Sequence, residues 1–321
     1  MTPATYRKIS IAALVALCII VVTGAAVRLS GSGLGCADWP NCSASKFIDV
    51  STTHGAIEQI NRLFTGVVMI VVIAAVLGAI KRVPRRRDLT TLAVLIALGV
   101  PMQGLVGAIV VLTKLNPFAN QQHFLLSMVL VGLGTMLVRR AGEPDSAVRR
   151  PSVTTHTRKH VQLITVLTGL ALVTGTFVTG AGPHAGDEKA KRFHVAISTV
   201  ARIHSITVMC AIAVMLVLFW RLRTRHADRH VLDNAITTWT VLAIAQAAVG
   251  YTQYFSGVPA VLVGLHVALA TGLWVATMQL WLSTSSVNLA AAGPGTGPGA
   301  GPDAESVGKI LDEYRTLVDR G

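Results

Sequence analysis

Glu58, Asn61 and Arg62 lie within one helical turn of each other, immediately before the apolar run "LFTGVVMIVVIAAVLGAI". Residues three and four apart share a helix face, so the three side chains project together. The glutamate reads in two ways. It is either a headgroup-level carboxylate paired with Arg62, or a carboxylate facing a cofactor pocket, where it accepts a proton or stabilises a cationic intermediate. Three histidines, His123, His204 and His266, fall in later apolar runs, and Cys36 and Cys42 flank "ADWPN" ahead of the glutamate. A ligating or ionisable side chain inside a membrane is costly unless it faces a bundle interior, which makes each of these a functional candidate.

The elements that hold them are legible from composition. Of 321 residues 52% are hydrophobic and 13% charged, against roughly 25% charged in soluble domains. Several uncharged stretches reach the roughly 20 residues that cross a bilayer as a helix. The chain therefore reads as an all-α integral membrane protein with eight transmembrane helices, near 9–28, 55–80, 89–112, 121–138, 160–180, 195–220, 234–254 and 260–283. Its net charge of +13 is gathered in "YRK", "KRVPRRR", "RRAGEPDSAVRR" with "TRK", and "RLRTRHADR", while the alternate loops carry only Arg28, Lys46, Lys114, Lys189, Lys191 and Arg192. That asymmetry marks cytoplasmic loops. Basicity here reports topology in membrane lipid, with no nucleic-acid partner, and places both termini in the cytoplasm of a bacterial cell membrane. The first apolar run is long for a signal peptide and has a counterpart later in the chain, so it is read as retained.

That counterpart belongs to a repeat. "VTGAAVRLSGSG" from Val22 resembles "VTGTFVTGAGPH" from Val173, and "QGLVG" from Gln103 resembles "QAAVG" from Gln246. A histidine follows each leading glutamine by twenty residues, His123 in one half and His266 in the other. The expected architecture is two repeated four-helix bundles in parallel orientation. The first spans 1–140 with an outer loop at 29–54, and a cytoplasmic linker follows at 141–159. The second bundle spans 160–283. The remaining 284–321 hold a Gly/Pro-rich linker and a short amphipathic tail, with Val307, Ile310, Leu311, Tyr314, Leu317 and Val318 at helical spacing.

The repeat puts Asn61, His123, His204 and His266 at similar depths below the outer face, His204 roughly 13 Å into its span. One histidine in a membrane helix is ordinarily a hydrogen-bonded core residue. Two in non-adjacent helices of one bundle, entering from opposite sides, are what an axial heme pair requires. Small residues in "GLHVALATG" let a flat macrocycle approach the backbone. Cys36 and Cys42 share an outer loop in an oxidising compartment, which favours a disulfide, structural or redox-active. Cys18 and Cys210 read as inert packing residues.

Taken in order, "SGSGLGCADWPNC", "EQINR", "QQHFLLSM", "ARIHS" and "GLHVALA" resemble the heme A synthase family over about residues 10 to 283. The resemblance implies an eight-helix membrane oxidoreductase that oxidises the C8 methyl of heme O to a formyl group, with oxygen from water, giving heme A for terminal oxidases. It implies heme b as cofactor on His204 and His266, and heme O as substrate on His123 beside Asn61 and Arg62. It implies Glu58 as the catalytic carboxylate and Cys36 with Cys42 as the loop cysteine pair. Heme O synthase and the cytochrome oxidase assembly pathway are the implied partners. The family pattern has histidine where this chain has Asn61, and an amide is a poor iron ligand. Substrate heme would then be held chiefly through His123 with one axial position open, His54 substituting only if the helix starts irregularly. A non-catalytic bis-histidine cytochrome and a heme carrier are the competing readings, and a permease a more distant one.

Overall fold

The computed structural model describes residues 1–43, 46–145, 147–224 and 226–289. Eight helices follow one another: α1 (Pro3–Leu29), α2 (Thr53–Lys81), α3 (Arg87–Leu112), α4 (Pro117–Ala141), α5 (Thr155–Ala181), α6 (Ile197–Leu222), α7 (His226–Phe255) and α8 (Ala260–Ser283). Each begins where local chemistry allows. Thr2, Thr52, Asn116 and Thr154 accept a first-turn backbone N–H at the starts of α1, α2, α4 and α5, and prolines stand in the first turns of α1 and α4. Several helices start before the expected spans. A reading of charge-free runs stops at Lys8 or Asp233, whereas the helix continues through both.

Seven of the eight helices are long and apolar enough to cross a membrane. The exception is α7, whose middle carries Thr237, Thr238, Thr240 and Gln246. Side chains that face outward are aliphatic, such as Ile70, Leu98, Val166, Leu216 and Ile244. Hydroxyls within the spans donate to carbonyls one turn back, as Thr135 does to Val131 O and Thr271 to Val267 O. The hydroxyl hydrogens of these threonines are thereby satisfied within their own helices.

Helix α1 packs on α2 and α4, and α3 on α2 and α4, around a core that includes Leu17, Val72, Ile96 and Val131. Helix α5 packs on α6 and α8, and α7 on α8 and less extensively on α6, around Ile164, Leu218, Leu232, Trp239 and Leu280. Helices α4 and α8 form the seam between these groups, joined by α1 against α8 and α4 against α5. Polar locks fix the seam: Trp274 Nε1 donates to Met128 O at 2.8 Å, and Gln121 Nε2 to Thr176 Oγ1 at 2.7 Å.

The end bearing the N-terminus is tied by charge and by a small sheet. The Met1 amino group donates to Lys81 O at 2.9 Å. Arg82 is 1% exposed and donates to Asp145 Oδ1 at 2.5 Å, and Arg86 and Arg149 bridge Asp88 and Glu143. Strands β1 (Ala147–Pro151) and β2 (Ser285–Leu289) pair antiparallel, from Ala147 opposite Leu289 to Pro151 opposite Ser285. The sequence had suggested only linker at both places. Five-residue segments carry too short a pattern to announce a ladder whose partner lies so far away in the chain. The expected tail helix falls outside the described residues.

At the opposite end the loops after α1 and α5 bond to one another. Gly33 N donates to Gly186 O at 2.9 Å, and Leu115, 3% exposed, is wedged against both glycines. Gly186 sits at φ +99°, where a side chain would be strained and would also meet Leu115.

Candidate functional site

Helix α2 begins at that far end, and its second and third turns deliver Glu58, Asn61 and Arg62. Glu58 is 6% exposed. One carboxylate oxygen accepts the Cys36 backbone N–H at 2.8 Å, and the other accepts Arg62 Nε at 3.1 Å and Nη2 at 2.7 Å. The same guanidinium donates to the carbonyl oxygens of Asp38 at 3.2 Å, Asn41 at 3.3 Å and Cys36 at 3.3 Å. Cys36 and Cys42 are joined in a disulfide with Cα atoms 4.2 Å apart. The ion pair and the disulfide loop are therefore one unit, with the loop strapped onto α2 by four hydrogen bonds made by two side chains. Gly35 is where the loop touches the helix, since a Cβ there would lie 2.2 Å from His54 O. Beyond the disulfide, the Ser51 hydroxyl and backbone N–H hold the Asp49 carboxyl below its usual range.

His54 does not lie in the interior. Helix α2 is regular from Thr53, and His54 Nδ1 is 2.9 Å from Ser32 Oγ in the loop after α1. It borders a cavity of about 470 Å³ lined also by Ser30, Leu34, Asp187 and Lys189.

The histidines of the second half meet. His204 on α6 and His266 on α8 have ring centroids 6.5 Å apart with planes at 75°. His204 Nδ1 is 3.1 Å from Thr174 Oγ1 on α5. Gln246 on α7 donates from Nε2 to His266 Nε2 at 3.0 Å. Two atoms beside them, His266 Nδ1 and Gln246 Oε1, are buried with no hydrogen-bond partner.

In the first half, His123 on α4 lies beside Gln103 on α3. Gln103 Nε2 donates to His123 O at 3.0 Å and to Ser127 Oγ at 2.5 Å. His123 Nδ1, Gln103 Oε1 and Asn61 Oδ1 are all buried without partners. A buried polar atom left unpaired costs on the order of 1–3 kcal/mol, and here such atoms recur at the histidine sites of both halves.

A glycine backs each histidine. A Cβ at Gly107 would lie 3.4 Å from His123 Cε1, at Gly175 3.2 Å from His204 Cε1, and at Gly250 3.0 Å from His266 Cε1. Sequence reasoning passed over these glycines, over Thr174 and over the contacts of the two glutamines. The signals were present: Gly175 is the glycine of "VTG", Gly107 and Gly250 close the "QGLVG" and "QAAVG" pair, and the common twenty-residue interval sets each glutamine beside its histidine. The strapping of the loop by Arg62 left no signal in spacing. Of the remaining cysteines, Cys18 is half-buried as expected, but Cys210 is exposed on α6 and fills no packing position. Among the described residues, no group of three or more His, Cys, Asp or Glu side chains is placed to hold a bare metal ion, so the paired imidazoles offer two ligands only.

A family model described as cytochrome oxidase assembly protein, COX15-CtaA, matches residues 7–278. The chain is 26% identical over 283 residues to the heme A synthase of Listeria monocytogenes serovar 1/2a, covering 82% of this chain and 88% of that protein. It is 30% identical over 167 residues to the heme A synthase of Geobacillus kaustophilus, covering 51% and 52% respectively. Against the heme A synthase of Shouchella clausii it is 24% identical over 256 residues, covering 76% and 85%.

Proposed function

The chain belongs to the COX15-CtaA family of cytochrome oxidase assembly proteins, and from that premise we propose that it is a heme A synthase, oxidising the C8 methyl of heme O to a formyl group. The observation that carries this reading is the His204–His266 pair. A metal ion held by one nitrogen from each imidazole, at bonds of roughly 2.0–2.1 Å, would need ring centres roughly 6–6.5 Å apart, and the separation here is 6.5 Å. The backing glycines and the unpartnered His266 Nδ1 and Gln246 Oε1 fit the same group. Gln246 covers His266 Nε2, so ligation at that nitrogen exchanges an amide hydrogen bond for a metal bond.

On this reading the chain is two repeated four-helix bundles, with heme b in the second and substrate heme O in the first. Both termini are cytoplasmic, on the side of Arg82, Arg85, Arg86 and Arg87. Heme b, when bound, supplies a one-electron redox centre whose chemistry is its own. The chain's residues position and protect. His204 and His266 enter from α6 and α8, and Thr174 orients the first of them. His123 holds the substrate from α4. Taking a methyl group to an aldehyde consumes one water and releases four electrons and four protons, in two successive two-electron oxidations, with the electrons passing to an external electron acceptor. Glu58, one turn from Asn61 on α2, accepts protons or offsets positive charge that develops at the methyl carbon, and Arg62 and the Cys36 N–H fix its orientation. Heme O synthase supplies the substrate and the oxidase assembly pathway takes the product.

A specific observation favours a second reading, that of a non-catalytic bis-histidine cytochrome: both Glu58 oxygens are already engaged by Arg62 and the disulfide loop. One experiment separates the two. The chain is expressed in a bacterial host that makes heme O but no heme A, and extracted hemes are resolved by reversed-phase chromatography. A heme A peak supports the synthase. Folded protein carrying heme b, with heme O unchanged, sinks it in favour of the cytochrome.

A further inference from the structure

The proposed conversion releases protons, and the carboxylate that would take them is closed in. Glu58 is 6% exposed, with one oxygen on the Cys36 N–H and the other on Arg62. A carboxylate that cannot pass its proton on is spent after one transfer. One peptide away lies the cavity of about 470 Å³ between the loops after α1 and α5. Gly35 lines that cavity, and its peptide N–H, which donates to Ser32 O at 3.1 Å, faces the Glu58 carboxylate beside that of Cys36. Ser30 and Gly31 continue the wall on this side, and Asp187, Glu188 and Lys189 form it on the other. The second half thus closes a space that borders the first half's carboxylate, held there by the Gly33 N–H on Gly186 O. Such a volume has room for on the order of ten waters.

His54 belongs to both environments. It lies one helical turn before Glu58, about 6 Å along the axis and on the same face. It lines the cavity and is exposed, whereas Glu58 is buried. Its Nδ1 is 2.9 Å from Ser32 Oγ, which is in turn 2.9 Å from Ser30 Oγ at the cavity wall. Its Nε2 makes no hydrogen bond among the described residues. Imidazole is the side chain suited to taking and releasing protons near neutral pH. We propose that His54 relays protons between Glu58 and the cavity, which makes the junction of the two loops the proton outlet of the first bundle. This rests on the synthase reading above and deepens it. The step is a proton transfer alone. Glu58 loses the proton of its carboxyl group, an imidazole nitrogen of His54 gains it, and water in the cavity takes it from the imidazole. The charged groups around His54 set its balance: Glu58 and Arg62 on α2, Asp49 ahead of that helix, and Asp187, Glu188 and Lys189 across the cavity, with Arg28 packed against Gly186.

The test has two arms. In the first, the purified full-length protein is taken through a pH jump and followed by infrared spectroscopy, the Glu58 carboxyl stretch being identified by its loss in Glu58→Gln. His54→Gln, which keeps an acceptor for the Ser32 hydroxyl, should slow protonation of Glu58 about tenfold with the band amplitude kept, less than the hundredfold typical of a group that acts in the transition state itself. In the second, heme A formation is followed against pH in membranes of the host that makes heme O, which retain the electron acceptor. The same variant should be slower there, with the deficit shrinking as pH rises and hydroxide takes protons directly. For His54→Ala, 2,6-lutidine, a base too hindered to ligate iron, should restore the rate in proportion to its concentration. Its N-methyl cation, of similar shape but with no proton to exchange, should not. Unchanged protonation kinetics in His54→Gln overturn the proposal, as does the absence of any Glu58-dependent band. So does a slowed His54→Ala that the two lutidine species restore equally or not at all. An infrared arm that behaves as expected in a chain that forms no heme A leaves the relay standing and sinks the synthase reading.

Discussion

At Arg62 one guanidinium serves two kinds of partner, a carboxylate on its own helix and three carbonyls of a cystine-closed loop. A planar fork with five donors can do this, whereas an ammonium cannot reproduce the geometry. Arg62→Ala leaves Glu58 buried and half-satisfied. Removing one member of a buried pair costs roughly 3–5 kcal/mol, and the loss should appear in thermal unfolding of the detergent-solubilised protein. Arg62→Lys should lose more than about half as much, since charge is kept but the carbonyl bonds are not; unfolding at the unsubstituted temperature would show that the strap carries no stability. Cystine reduction at fixed thiol concentration should accelerate in both variants. Glu58→Gln distinguishes chemistry from strapping. It keeps an acceptor for the Cys36 N–H, so loop reduction should change less than in Arg62→Ala, while heme A output falls by about a hundredfold, within the range for a proton-transfer group. Full output from Glu58→Gln would end the catalytic assignment.

Between elements, the contacts that matter are glycine against imidazole, one pair per helix couple: α3 with α4, α5 with α6, and α7 with α8. These couples make a graded prediction. Gly250→Ala and Gly175→Ala push a methyl to 3.0 and 3.2 Å from an imidazole carbon. Overpacking of this kind costs about 1–3 kcal/mol and should diminish the low-spin heme signal. Gly24→Ala meets open space and gains helix propensity, so it should stabilise the fold by up to about 1 kcal/mol. Equal effects at all three positions would show that the glycines are a generic small-residue stripe. The same couples explain how far the site was legible. Histidine positions, the asparagine and the glutamine intervals stood out because spacing along one chain carries them. The glycine behind each imidazole was not legible as a contact, because it depends on helix rotation, which no periodicity in an all-round apolar helix specifies. The four-bond strap was hidden for a related reason. It joins α2 to an irregular loop whose carbonyl directions are set by the cystine and not by residue type.

Over the whole molecule, α7 decides the topology. By composition it is the one helix of the eight not apolar enough to be read as a crossing, and if it did not cross, the chain after it would end on the wrong side. The structure ties it at both ends. Asp228, in the first turn of α7, accepts the Thr154 N–H at 3.1 Å and the Thr157 hydroxyl at 2.7 Å, both at the start of α5. Past its other end, Val258 O is 2.8 Å from His184 Nε2 in the loop that follows α5. Helices α5 and α7 therefore run in the same direction through the bundle. The β1–β2 ladder demands the same, because strands flanking α5 and α8 can pair only if an even number of crossings separates them. The polar residues of α7 turn inward: Trp239 Nε1 donates to Thr277 Oγ1 at 3.0 Å, and Gln246 covers His266. A helix whose polarity is satisfied by neighbours can span without a fully apolar sequence. In a background lacking Cys18 and Cys210, Ser256→Cys should then react with a membrane-impermeant maleimide from the side that labels Asp187→Cys. Thr224→Cys should react only from the opposite side, with the N-terminus. Labelling of Ser256→Cys and Thr224→Cys from one side would mean that α7 does not cross, and the four-crossing second half would have to be abandoned.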